Sequence, residues 1–563
     1  MNKLHTIVLL FLLLITVAIP LDINSQVNFT SSNMPIIVID TYGQTIVDDP
    51  RIRAHMGIIF NDNQSRNFVI NPFNNYDGWI SIEIRGSSSQ YFYPKKQYAV
   101  ETIDSVGNNL NVSLLGLPEE NDWILHAPYS DKTLVRNALI YQLSNDIGRY
   151  ASRCRFCELI LNGDYQGVYI LMEKIKRDKN RVDIAKLNPE EISGDDLTGG
   201  YIIKIDKFAG EEIGGWVSPY PPYENAQQTI FYQYHYPKPD DIATEQKQYI
   251  KDFIAVYEDL MNSSQFNDRI TGYHTILDVE SFVDYFLLNE IGKNVDGYRL
   301  SAFMYKDKDS KNGKIFMGPI WDFNLAFGNA DYYDGWKSDG WEISYFKKSP
   351  DFRQDSFQVP FWWCKLYNDP YFQRQVQKRW QTLRENHFSQ DYIFGIMDSL
   401  TTYTSEAVER NFQKWNNIIG HWIWPNYYVG QSYQEEVNWM KQWIYYRINW
   451  IDQELEKEIT SEIQTESVPV ISDFMLMPNY PNPFNKVTIL QYRVSKSVYL
   501  KLEIIDLKGN RIAILCNRFH EPGSYQIYWD GIAENGSNVG NSIYLVSLSS
   551  GRHSQIRKVL YLK

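Results

Sequence analysis

At 563 residues the chain exceeds what one hydrophobic core normally holds, so two to four domains are expected. A net charge of −13 argues against nucleic acid as the main partner, because phosphate binding needs a basic surface. Four cysteines are too few for a disulfide scaffold, and the ordinary apolar share of 44% is that of globular protein.

The first residues read as an export signal. Lys3 gives a short basic start, and Ile7 to Ile19 is apolar apart from Thr16. That run is too short to span a bilayer but fits a signal-peptide core, with cleavage expected near Ser25 and Gln26. No later stretch is long and apolar enough to span, so no transmembrane anchor is expected. Residues 27–78 read as a small β-rich segment, with compact apolar runs at Ile36–Val38 and Gly57–Phe60. Trp79 to Arg85 alternates apolar and polar residues with period two, the mark of a half-buried strand.

Lys132 to Ile147 carries apolar residues at helical spacing. Cys154 and Cys157 form a CxxC with no second pair and no nearby His, so a bridge or two inert thiols is expected rather than a zinc site. Glu158 to Glu173 holds two apolar runs around Asn162-Gly163-Asp164, and Asn-Gly is a strong hairpin-turn signal. Gly200 to Ile205 reads as another strand. Glu245 to Met261 and Val279 to Ile291 read as helices, the second stopped by Gly292. Leu300–Lys306 and Lys314–Trp321 form a hairpin around a polar turn. A last long helix opens with a capping box at Ser432 and Glu435. Trp362, Trp363, Trp415, Trp422 and Trp424 sit at near-helical spacing that favours core packing over a sugar platform.

A polar, aperiodic stretch places a linker at 458–472. Residues 473–563 are all-β, with short strands at regular spacing. The motifs Asn479-Tyr480-Pro481-Asn482-Pro483-Phe484-Asn485, Ile505-Asp506-Leu507-Lys508-Gly509 and Tyr528-Trp529-Asp530-Gly531 lie here. The segment ends on Lys558-Val559-Leu560-Tyr561-Leu562-Lys563. It resembles the type A C-terminal sorting domain of type IX secretion, an Ig-like β-sandwich. The resemblance implies the secretion machinery as a partner and a secreted or cell-surface destination through the periplasm.

The chemistry is concentrated in residues 79–457. Asp296 follows a helix, and Asp322 follows the second strand of the hairpin. Helix, loop with Asp, two strands, loop with Asp is the order of a protein kinase, where the first acid serves the acceptor hydroxyl and the second the metal. Two nearby carboxylates also suit Mg²⁺. With Arg85-Gly86-Ser87-Ser88, Lys95-Lys96, Leu161-Asn162-Gly163-Asp164-Tyr165-Gln166-Gly167-Val168-Tyr169, Glu173 and Trp321-Asp322, this stretch resembles the spore-coat protein H (CotH) kinase family.

The resemblance implies an α+β fold with an atypical protein-kinase-like body. It also implies ATP and Mg²⁺ (or Mn²⁺) as cofactors and transfer to protein Ser or Thr. Asp296 matches the catalytic acid and Asp322 the metal-binding acid. Ser301 stands where a kinase places Asn, and Asn324 where the family often has a second acid; both offer oxygen but no charge. Lys96, or its neighbour Lys95, would meet the phosphates, with Glu173 as the orienting partner and Arg85 at a phosphate or its turn. Two other readings use the same residues. One is a catalytically silent surface protein that binds a partner or glycan; the other is a glycoside hydrolase using the paired Asp296 and Asp322.

Overall fold

The computed structural model describes residues 27–61, 65–208, 214–465, 474–477, 479, 481–506, 509–550 and 553–561. The expected signal peptide lies outside them. The chain is mixed α and β, and it divides into a first unit ending at Asp452 and a second beginning at Gln453.

Besides a two-stranded pair, Ser31–Ser32 with Asn67–Phe68, the first unit opens with β1 (Ile36–Asp40), β2 (Ile52–Ile59), β3 (Tyr76–Arg85), β4 (Gln97–Ile103), β5 (Asp122–His126), β6 (Cys154–Leu161) and β7 (Asp164–Glu173). Strands β1 to β7 form a closed barrel in the order β1-β2-β3-β4-β5-β7-β6. All neighbours are antiparallel except β1 and β6, whose parallel register from Ile36↔Glu158 to Ile39↔Leu161 closes the ring. The period-two pattern explains the core. Ile37, Ile39, Ala54, Met56, Ile58, Ile80, Ile82, Tyr98, Val100, Trp123, Leu125, Cys157, Leu159, Tyr169 and Leu171 take alternate positions and fill the inside. β1 and β2 are thus staves of the same barrel as the strands that follow, and the boundary expected between residues 78 and 79 falls inside β3.

The β6–β7 hairpin turns on Asn162 (φ +51°) and Gly163 (φ +77°), the pair of left-handed residues that a tight hairpin needs. Gly167 has a different role. It lies at φ +90°, and a Cβ there would sit 2.4 Å from Asn411 Oδ1, so the strand bulges where a helix presses on it.

A second, wholly antiparallel sheet holds β8 (Tyr201–Ile205), β9 (Gly215–Val217), β10 (Phe231–Tyr236), β11 (Ala302–Lys306) and β12 (Ile315–Met317), in the order β9-β10-β8-β11-β12. The longer helices are α1 (Arg136–Asp146), α2 (Thr244–Asn262), α3 (Val279–Gly292), α4 (Phe361–Asn368), α5 (Pro370–Arg384), α6 (Gln390–Lys414) and α7 (Tyr433–Thr465), with short ones at Ser88–Phe92, Gly194–Leu197 and Glu342–Lys348. Helix α1 starts four residues later than its apolar spacing predicts. Asp131 accepts from the backbone of Thr133 and Arg136, and so holds the preceding residues in a turn. Helix α3 ends as expected, but Lys293 (φ +46°), not Gly292, takes the left-handed closing position. Gly292 instead packs beside Ala326 and Phe323. Trp362 and Trp363 are buried, as the core reading expects, but Trp415 and Trp424 are only partly buried and Trp422 is exposed, against it.

Cys154 and Cys157 are free, and burial pushes both thiols up to about 12. Three positions apart on a strand, they point to opposite faces and cannot meet. No helix among the described residues is long and apolar enough to cross a membrane.

The second unit contains β13 (Phe474–Leu476), β14 (Thr488–Val494), β15 (Val498–Ile505), β16 (Arg511–His520), β17 (Gly523–Trp529), β18 (Ser542–Ser550) and β19 (His553–Tyr561). They make two antiparallel sheets, β13-β14-β17 and β16-β15-β18-β19. Both sheets contribute to one apolar core that includes Leu490, Tyr492, Leu502, Ile504, Trp529 and Val546.

Candidate functional site

A cleft of about 270 Å³ opens between the outer face of the barrel, helix α1 and the loops flanking β11 and β12. The barrel supplies the residues that alternate with its core: Arg85 from β3, Gln97 from β4, His126 from β5 and Lys174 just past β7. The second sheet supplies Lys204, Asp206 and Lys207 from the end of β8. The loops supply Asp296, Ser301, Asp322, Asn324 and Tyr332.

Asp296 sits in the turn between α3 and β11. Arg299 donates to its Oδ1 at 3.0 Å and is itself held by Asp355 and by the carbonyls of Val295 and Phe357. Behind the turn, the Tyr298 hydroxyl donates to the buried Glu290 at 2.9 Å. Tyr298, Ser301 and Asp322 all have positive φ, an uncommon backbone state for residues other than glycine, and one that clusters at functional sites.

Asp322 follows β12 and is exposed to the open cleft, whose walls crowd its carboxylate. That enclosure raises its pKa, and the neighbouring Asp296 and Asp206 raise it further; Lys207 and Arg85 oppose the shift, leaving it at about 6. Asp206 reaches this group through strand register. Ile205 pairs with Ala302, so the next residues out, Asp206 and Ser301, face each other, and the Ser301 hydroxyl donates to Asp206 Oδ2 at 3.4 Å. Lys204 stands 4.0 Å from the same carboxylate.

Of the eight residues expected from sequence, the cleft brings together Arg85, Asp296, Ser301, Asp322 and Asn324. Lys95, Lys96 and Glu173 lie elsewhere. Lys95 is fully buried, donating to Val168 O at 2.6 Å and Asn411 Oδ1 at 2.8 Å, and burial pushes its ammonium down to about 7. Lys96 turns back onto the carbonyls of Gln90 and Tyr93 at 2.6 and 2.8 Å. Glu173 is buried and bound by Arg153 at 2.6 Å, with Arg181 at 3.7 Å. The expected Lys96–Glu173 pair therefore does not form; each partner is taken by nearer groups.

Residues 82–451 match the family model described as CotH kinase protein. The chain belongs to the CotH kinase family. No curated protein matches it. Among solved structures it is similar to dimeric latent PorU from Porphyromonas gingivalis, at 18% identity and a TM-score of 0.15. That similarity covers 16% of this chain and 10% of the other, which is too slight to bear on the fold.

The CotH match runs from β3 into α7, and so covers every residue of the cleft except Asp48. Several of those residues escaped the sequence reading. Asp206, Lys204 and Lys207 follow a strand that the sequence announced, and the Lys-x-Asp-Lys run at its end was the available signal. Asn137 and Tyr141 lie within the helix that the apolar spacing predicts, and nothing in that spacing marks them, or His126 before it, as site residues. His126 is nearly buried, and burial together with the charges of Arg85 and Lys95 pushes its imidazole down to about 4, so it is neutral at physiological pH.

Among the described residues no group of three or more His, Cys, Asp or Glu side chains is placed as a ready cation cage. Mg²⁺ does not require one, since it keeps several waters and takes one or two carboxylates plus phosphate oxygens. The cleft fits that demand. Its possible ligands are hard oxygens from Asp322, Asp296, Asp206, Ser301 and Asn324, no cysteine lines it, and basic side chains stand among them.

Proposed function

We propose that this chain is an ATP- and Mg²⁺-dependent atypical kinase, with a kinase-like body that transfers phosphate to the hydroxyl of a protein Ser or Thr. The observation that carries the reading is the convergence of Asp296 and Asp322 with Arg85, Lys174, Lys204 and Lys207 in one cleft of a CotH-family chain. Bound Mg²⁺–ATP would bring the transferable phosphoryl group and the cation that offsets its charge. Asp322 would hold the cation, with Ser301 and Asn324 as neutral oxygens and Asp206 as added negative charge. The four basic residues would face the phosphate oxygens. Arg299 fixes one oxygen of Asp296, which leaves the other to take the acceptor's proton.

The test is a thermal-shift titration of the full chain with ATP and Mg²⁺ or Mn²⁺, followed by transfer of labelled phosphate to protein acceptors. A ligand present at a hundred times its Kd should add about 2.7 kcal/mol of stability. Asp322→Asn should remove the metal-dependent part of that shift. Asp296→Asn should keep binding and lose transfer by roughly a hundredfold or more. A wild-type chain with no metal-dependent nucleotide shift would overturn the reading. A shift without transfer would favour a silent nucleotide-binding protein, for which Ser301 and Asn324 are the motivating residues.

We also assign residues 473–563 to a type A sorting domain of Ig-like form, with residues 1–25 as the export signal. The support is the motif set together with the two sheets and shared core of that segment. Removing residues 473–563 should leave the chain in the periplasm of a host with type IX secretion. Delivery to the surface or medium at the normal level without them would refute the assignment.

A further inference from the structure

Helix α1 presents two side chains to the backbone that carries Asp322. The Asp322 amide donates to the Tyr141 hydroxyl at 3.0 Å, and the next amide, Phe323, donates to Asn137 Oδ1 at 2.7 Å. Asn137 and Tyr141 are four residues apart, one helical turn, and so project from the same face. Both are buried. The Tyr141 ring also stacks on Trp321, with centroids 5.9 Å apart. Asp322 lies at φ +61°, so these two hydrogen bonds act on a backbone that Asp would otherwise seldom adopt.

The link continues away from the loop. Because Asn137 Oδ1 accepts from Phe323, its Nδ2 is the donor toward His126 Nε2, 3.4 Å away. His126 Nε2 is then the acceptor, which puts the ring proton on Nδ1, 2.8 Å from Gln97 Oε1. Gln97 Nε2 donates in turn to Ser89 Oγ at 3.0 Å. A chain of hydrogen bonds thus runs from Ser89 in the short helix Ser88–Phe92, through β4, β5 and α1, to the Asp322 loop.

We infer that Tyr141 and the Gln97–His126–Asn137 chain are positioning residues that hold Asp322 in the cleft and tie its loop to the barrel wall. The inference rests on the proposed role of Asp322 in holding the cation. Neither Tyr141 nor Asn137 need touch nucleotide or acceptor; they act through the amides of residues 322 and 323.

The test uses the full chain and two readouts. Amide hydrogen exchange of the peptide containing Asp322 and Phe323 needs no ligand. Mn²⁺ binding with ATP present is read from loss of the free-ion resonance signal. Tyr141→Phe keeps the ring on Trp321 and removes only the acceptor. It should lower the melting temperature of the ligand-free chain by no more than a few degrees, speed exchange in that peptide, and weaken Mn²⁺ binding about tenfold, the scale of one lost hydrogen bond. Asn137→Leu should act the same way through Phe323. Tyr392→Phe, which loses a hydroxyl that bonds Asp146 on the same helix, should change neither readout.

Unchanged exchange in both Tyr141→Phe and Asn137→Leu would overturn the inference. So would faster exchange with unaltered Mn²⁺ affinity. A wild-type chain that binds no Mn²⁺ with ATP would instead defeat the proposed function, and the exchange rates would still decide whether these residues hold the loop. If Asn137→Leu does not fold, Tyr141→Phe decides alone.

Discussion

Lys95 and Lys96 illustrate what sequence can and cannot specify at one position. Both carry the right charge beside the right strand, yet neither points into the cleft. Lys95 ends on Asn411, more than three hundred residues away in the chain, and no local pattern encodes that meeting. Lys95→Met should accordingly leave nucleotide affinity unchanged. Lys207→Met and Arg85→Met should each lower it by about tenfold or more, the scale of a charge-assisted hydrogen bond. Isothermal titration with Mg²⁺–ATP would separate the two cases. By contrast, Asp296 and Asp322 were legible because motif and element order agreed on both. A second buried group gives a pH effect. Glu258 accepts from Tyr232 and Ser218, but burial raises its carboxyl to about 7. The folded state therefore holds a proton between its ordinary 4.5 and 7 that the unfolded state has released, and stability falls as pH rises through that window. Glu258→Gln should remove this loss. The variant should gain on the order of 2 kcal/mol relative to wild type on going from pH 5 to pH 8, measured by urea unfolding.

Elements were legible wherever a period or a turn residue fixed them locally. The Asn162-Gly163 hairpin, the alternation in β3 and the repeat of α2 all follow from residues a few positions apart. Helix ends were less so: the start of α1 depends on Asp131, and the last turn of α3 on Lys293. What packs one element on another could not be read at all. Helix α7 is joined to α3 by Arg447 and Glu290, both fully buried and 3.0 Å apart. Arg447 also donates to the carbonyls of Glu290 and Gly340, each at 2.7 Å. Glu290 meanwhile holds Tyr298 behind the Asp296 turn, so the pair supports the site as well as the core. Arg447→Met would leave Glu290 buried without its counter-charge, at a cost of about 3–5 kcal/mol. Arg384→Met, which breaks the half-exposed pair with Asp452, should cost about 1 kcal/mol or less. Denaturant melts of the two variants would check the contrast.

For the whole molecule, the sequence conveyed a mixed α and β body followed by a β-rich C-terminal segment. It did not convey that residues 36–59 belong to the body's own barrel, because a strand pairing across about 120 residues has no local signature. The free cysteines make a further check. Melting curves with and without reductant should coincide, and a shift of several degrees would mean that a bridge forms in solution. The parallel seam between β1 and β6 has one more consequence. Whenever the chain emerges N-terminus first, β1 appears and its partner β6 follows about 120 residues later. Until then the barrel is an open ribbon with an unpaired edge at each end, the form of β-structure most prone to join a neighbouring chain. The seam that finishes the fold is therefore also the contact whose late arrival leaves both edges open to a neighbouring chain.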